Sequence, residues 1–149
     1  MAMRDLKNRA YSVKLLVPAD TTEDTWSSYL DLKGLQGVKI VVTNGVLGDG
    51  SGSNYFTPVL YEADDGETAT SSASYSAVDS GDIEGAFIAV ADGTTTLTQY
   101  VGYKGSGRYI AVKLDETGTV TSSYWSVTAE CAYGRRLPIT TAPTTGTIT

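Results

Sequence analysis

Apolar and polar residues alternate with a period of two along most of this chain. In "VKIVV" the residues Val38, Ile40 and Val42 share one face, in "YIAVKL" Ile110, Val112 and Leu114 do, and in "YSVKLLV" Tyr11, Val13, Leu15 and Val17 line up. Successive side chains of a strand point to opposite sides, so each pattern predicts a half-buried β-strand. Further strands are predicted at 57–63, 72–78, 85–91, 96–103 and 119–133, where Thr, Tyr and Val suit a pleated, one-sided surface. The 3.6-residue period of an amphipathic helix is nearly absent. One segment, "TTEDTWSSYL" (21–30), with Thr21 or Thr22 as a cap, is read as a helical turn, in competition with the strand pattern that follows it.

Turn-forming clusters separate these runs: "TNGVLGDGSGSN" (43–54), "ADDGET" (63–68), "DSGDIEG" (79–85), "YKGSGR" (103–108) and "DETG" (115–118). Short strands punctuated this regularly predict an all-β fold, an antiparallel, jelly-roll-like β-sandwich of about eight strands. The ends differ in composition. Residues 1–10 form a basic arm, 11–137 the sandwich domain, and "PITTAPTTGTIT" (138–149) a Thr-rich tail. The tail buries too little to nucleate structure alone and is expected to be disordered or to lie as an extended strand on a neighbour.

At 149 residues the chain is one ordinary domain, able to bury roughly 70% of its unfolded surface. Its net charge of -6 disfavours nucleic acid as a partner, because neutralising phosphates needs a basic face. The charge is unevenly spread. Residues 1–14 carry +3, residues 15–98 carry -11 and the remainder carries +2, so a basic arm precedes an acidic body. A single cysteine, Cys131, rules out an intrachain disulfide. No apolar stretch approaches the length of a membrane span, and no signal segment is read at the start, so a cytoplasmic origin is expected.

Histidine is absent, which removes the base of Ser-His-Asp and Cys-His catalysis and the commonest zinc ligand. Carboxylates remain: Glu62, Asp64, Asp65 and Glu67, with Asp82 and Glu84 in the next turn. They contain the residue types of a glycosidase pair or a calcium cluster, set in turn sequence where acids usually face water. "LGDGSGSN" (47–54) lacks the acid spacing of a calcium loop and is read as a hairpin tip. "YVGYKGSGRYIAVKLD" (100–115) has the glycines and cations of a phosphate loop, but the following residues alternate as a strand instead of opening a helix. Gly102, Gly105 and Gly107 are therefore read as hairpin and bulge glycines, with Lys104 and Arg108 exposed at the tip. Ten tyrosines and two tryptophans suit a core, an oligomer interface or a sugar-stacking platform.

In order along the chain, "DLKGLQGVKIVV" (31–42), "FTPVLYEADDGET" (56–68), "SAVDSGDIEGAF" (76–87), "YVGYKGSGRYIAVKL" (100–114) and "YGRRLP" (133–138) resemble a family of small structural proteins of tailed bacteriophages, similar to capsid decoration or cement proteins. The resemblance covers roughly residues 28 to 138 and implies a β-sandwich that binds the outside of an icosahedral shell. It implies the major capsid protein as partner, a homotrimer or other homo-oligomer, no catalytic residues, no cofactor, no metal, and a place on the virion exterior after assembly in a bacterial cytoplasm. The basic start and the Thr-rich tail exceed the family's usual pattern.

A cement subunit must grip several neighbours, and extended termini serve that need. Ten residues reach roughly 33 Å, enough to cross a neighbouring subunit and add a strand to an exposed edge. The expected capsid contacts are Arg4, Lys7, Arg9 and Tyr11, the charges steering and the tyrosine anchoring, with Arg135 and Arg136 in second place. Two other readings fit the same composition: a carbohydrate-binding or adhesion sandwich, and a head-completion or tail subunit.

Overall fold

The computed structural model describes residues 10–49, 51–91, 96–133 and 142–149. Eleven strands occur among them: β1 (Ala10–Asp20), β2 (Thr25–Trp26), β3 (Tyr29–Asp31), β4 (Leu35–Gly48), β5 (Tyr55–Ala63), β6 (Ser76–Ala77), β7 (Ile83–Glu84), β8 (Leu97–Tyr103), β9 (Tyr109–Thr117), β10 (Ser122–Tyr133) and β11 (Thr145–Gly146). They form two antiparallel sheets. Sheet A has the order β1-β10-β4-β8-β7, and sheet B the order β11-β3-β9-β5-β6, with β2 also paired to β9.

The pairings β1 with β10, β3 with β9, β4 with β8 and β5 with β6 are the rungs of one long ribbon doubled back at β5–β6. Rolling the ribbon adds β10 beside β4 and β9 beside β5. Two four-stranded sheets wound in this way are a jelly roll, and β7 and β11 extend their rims. The expected sandwich is thus present, built on eight principal strands.

Inward columns of the two sheets meet in one core. Val38, Ile40 and Val42 of β4, Val101 of β8 and Trp125, Val127 and Ala129 of β10 face Phe56 and Leu60 of β5 and Ile110, Val112 and Leu114 of β9. Phe56 and Trp125 touch edge to face at 5.8 Å, an arrangement worth about 0.5–1.5 kcal/mol beyond their burial. The Trp125 indole donates to Ser123 Oγ at 2.9 Å, and Ser123 Oγ donates to the Thr21 carbonyl, so the polar edge of the core's largest ring is satisfied.

Several local expectations are corrected. The segment 21–30 makes no helical turn: it runs as β2 and β3 along β9, because Trp26 and Leu30 gain burial against that strand. The described residues hold only two short 3-10 turns, Ser72–Ser74 and Ser80–Asp82. The first takes most of the strand expected at 72–78 and leaves β6. The strand expected at 85–91 is an extended strap, fixed by the Phe56–Val90 bridge and by the Gln99 side chain, which accepts from Ile88 N–H at 2.7 Å and donates to its carbonyl at 3.1 Å. The hairpins expected at 47–54 and 103–108 are corners, since β4 and β8 lie in sheet A while β5 and β9 lie in sheet B.

The Thr-rich tail is corrected as well over its described part. Residues 142–149 lie neither free nor on a neighbour: β11 pairs with this chain's own β3, and Ile148 is buried against sheet B.

Candidate functional site

Among the described residues four rims bound the two sheets, and three of them end in strands of two residues: β7 in sheet A, β6 and β11 in sheet B. The fourth is β1, eleven residues long. Long edge strands are templates for further pairing, which most proteins avoid by keeping edges short. The β1 edge is only partly blunted. Lys14 and Pro18 lie on it, and its register against β10 shifts twice, between Lys14 and Leu16 and between Leu16 and Ala19. The Leu15 carbonyl is occupied by the Ser28 N–H at 2.8 Å. On either side of that point no described residue pairs with the edge, and Val17 is 54% exposed.

The outer face of sheet A adjoins this edge. Register places Lys14, Thr128, Val41 and Tyr100 in one row across four strands, and Glu130, Lys39, Gly102 and Glu84 in the next. Charge is concentrated at the two ends: at one, Lys39 pairs with Glu130 at 2.6 Å and sits 5.6 Å from the Tyr100 ring centre, and at the other Asp20 lies opposite Tyr124. The middle of the face is uncharged. Thr43 and Thr98 share a hydroxyl hydrogen bond of 3.2 Å, and Tyr100 and Tyr124 are 66% and 56% exposed.

Of the residues expected to contact a capsid, Tyr11 is in β1, opposite Cys131. It therefore belongs to the inward-facing column at the end of the sandwich, partly exposed there, and not to the bare face. Arg4, Lys7, Arg9, Arg135 and Arg136 lie outside the described residues. Tyr100, Tyr124, Val17 and Val46 are exposed apolar positions that the sequence reading did not single out. For Tyr100, Tyr124 and Val46 the signal is the alternation itself, since each is the outward neighbour of a buried residue in its strand; Val17 shares the alternation of Leu15 and is turned out by the register shifts on either side of Leu16.

Two of the candidate acids, Glu62 at the end of β5 and Asp65 in the turn after it, do other work. Glu62 accepts from the Tyr103 hydroxyl and from Gly107 N–H, and the Tyr103 hydroxyl accepts from Gly107 N–H at 2.8 Å. Burial, and then the neighbouring Glu62, push the Tyr103 phenol well above the usual tyrosine range. This trio pulls the 104–108 corner onto the end of the sandwich. A Cβ at Gly105 would stand 2.5 Å from the Tyr103 hydroxyl, and one at Gly107 2.7 Å from Glu62 Oε2, so both positions need glycine for close approach.

Arg108 is no free cation at a tip. Its guanidinium forks onto Asp31 with two contacts of 3.1 Å, pairs with Asp65 and lies over the Tyr109 ring. Burial pushes the Asp31 carboxyl up, but the Arg108 fork and the Lys33 N–H outweigh it and hold Asp31 below its ordinary value. Among the described residues, no three acidic or cysteine side chains converge as a metal site would require, and no helix is long and apolar enough to cross a membrane.

No family model matches the chain, and no curated protein matches it. Among solved structures, a chain of the Bacillus endospore appendages, described as a family of disulfide-linked pili, is similar with a TM-score of 0.44 and 19% identity. The match covers 85% of this chain and 90% of that one.

Proposed function

We propose that this protein is a structural subunit of a phage virion, a decoration or cement protein that binds the outer surface of a head and stabilises it. The supporting observation is the asymmetry of the rims among the described residues: one long edge strand has no further described strand beside it, where the other three are cut short. An extended segment of a capsid protein pairing along β1 forms backbone hydrogen bonds at once, and contact with the exposed Val17 and Tyr11 side chains supplies selectivity. The basic residues before β1, Arg4, Lys7 and Arg9, steer the approach and reach across a neighbouring subunit. The work is adhesion, with no chemical step and no cofactor, and several copies around a symmetry axis multiply weak contacts by avidity.

The test is co-sedimentation with heads assembled from the major capsid protein encoded in the same genome. The intact chain should pellet with them to saturation. A chain lacking residues 1–9, which keeps all of β1, should fold and bind weakly. Full occupancy by that variant, together with full occupancy by Val17→Lys, would refute attachment through this edge. The exposed rings of Tyr100 and Tyr124 on the outer face of sheet A favour a second reading, stacking on a sugar; binding on a glycan array that both Tyr→Ala variants abolish would support it instead.

A further inference from the structure

The outer face of sheet B has a built groove, and the chain's own last residues fill it. Thr145 and Gly146 pair with Leu30 and Tyr29, and the Asp31 N–H donates to the Thr144 carbonyl at 2.9 Å. Beyond them the Thr149 N–H donates to the Thr70 carbonyl at 2.8 Å, and the Ser72 N–H donates to the Thr149 carbonyl at 3.0 Å. Between these two clamps Ile148 drops into an apolar dimple floored by Ala63 and Ala111 and walled by Tyr75. The groove also selects by size. A Cβ at position 146 would stand 2.5 Å from the Tyr29 ring, so any larger residue there must push that ring aside.

We infer that this groove is a strand-acceptor site that takes the C-terminal segment of a second copy of this chain whenever copies are held side by side. All of its contacts are made by residues 144–149 with the sandwich, and none depends on the tail belonging to the same molecule. Exchange is therefore a question of concentration. Eight residues separate Tyr133 from Ala142, and a link of that length gives the chain's own tail an effective concentration on the order of millimolar. A dilute molecule keeps its tail. Copies fixed at comparable local concentration, within the reach of about 30 Å that nine backbone steps allow, trade tails and become linked without any new contact. This inference stands on the groove alone and is independent of the β1 reading.

Single-cysteine probes separate the two states. Thr70 and Thr149 are exposed and joined backbone to backbone, while Cys131 is buried, its thiol pushed up to about 11 by that burial, and stays out of exchange. The double variant Thr70→Cys/Thr149→Cys should close an internal disulfide. Mixed at about 1 mM, full-length Thr70→Cys and Thr149→Cys should form a disulfide-linked dimer. Its yield should exceed by about tenfold the yield when the first partner is Thr98→Cys, on the opposite face. Dilution to about 1 µM, or an excess of synthetic peptide 142–149, should abolish that dimer. A dimer yield no greater than the Thr98→Cys control, with the double variant closing internally, would overturn exchange. Failure of the double variant to close would overturn the groove itself. Either failure leaves shell binding through β1 to its own test.

Discussion

The two outer faces of this jelly roll are treated in opposite ways. On sheet B the chain returns over its own surface, so that Ala111, outward-facing in the middle of β9, is fully buried beneath Ile148 and the aromatic residues Trp26, Tyr29, Tyr61, Tyr75 and Tyr109. On sheet A nothing of the described chain covers the equivalent positions, and Val41, Thr43, Tyr100 and Tyr124 face outward. Satisfying one face internally and leaving the other, with its long β1 edge, unsatisfied concentrates the surface available for partners on one side. An isolated monomer gains nothing from that arrangement. A subunit with a fixed orientation on a larger body, the role proposed above, does.

The largest expected effect breaks the open side. Val17→Lys combined with Tyr11→Lys should weaken shell binding by more than about 30-fold, as loss of an interface anchor does. Stability measured by urea unfolding should change by only about 0.5 kcal/mol, because neither residue is buried. Next comes the sealed side. Ala111→Leu forces bulk between β9 and the tail and should cost about 1–3 kcal/mol by the same measurement.

Ile148→Ala should act more locally, costing about 2 kcal/mol or less. It should speed amide exchange at Ser72 and Thr149 while leaving the exchange of β10 unchanged, because the tail opens without the sandwich. A smaller effect concerns the corner latch. Asp31 is held below its ordinary value in the folded state, so its contribution is present above an unfolded value of about 3.9. It is lost as pH falls through the lower folded value. Acid titration of Asp31→Asn should therefore show a shallower stability loss below about pH 4 than the parent chain. Smallest of all, Thr43→Val and Thr98→Val on the bare face should each stay within about 0.5 kcal/mol of the parent.

The sandwich was legible because period-two alternation reports a one-sided strand wherever the strand sits, as in β4 and β9. What the alternation cannot report is which strand is the neighbour. The glycine-rich turns at 47–54 and 103–108 read as hairpins, yet they are corners between sheets, because a turn's sequence encodes a change of direction and the pairing is set by the distant β3, β5 and β10. The acidic turn was legible as acidic but not as a latch, since Glu62 meets Tyr103 and Gly107 only after the corner folds. The tail reads as unable to fold alone, and that holds in a physical sense: its burial depends on Ala111 and Tyr29, which lie more than thirty residues away in sequence. The open face was latent in the alternation, but recognising Tyr100 and Tyr124 as exposed requires knowing that no described segment returns to cover them.

Hydrogen exchange along β1, measured on the intact protein free and then bound to heads, tests the central claim most directly. The account predicts strong new protection over residues 10–20 on binding, with the Thr70, Ser72 and Thr149 region protected in both states. Binding with β1 exchange unchanged, or new protection confined to the covered face of sheet B, would contradict it.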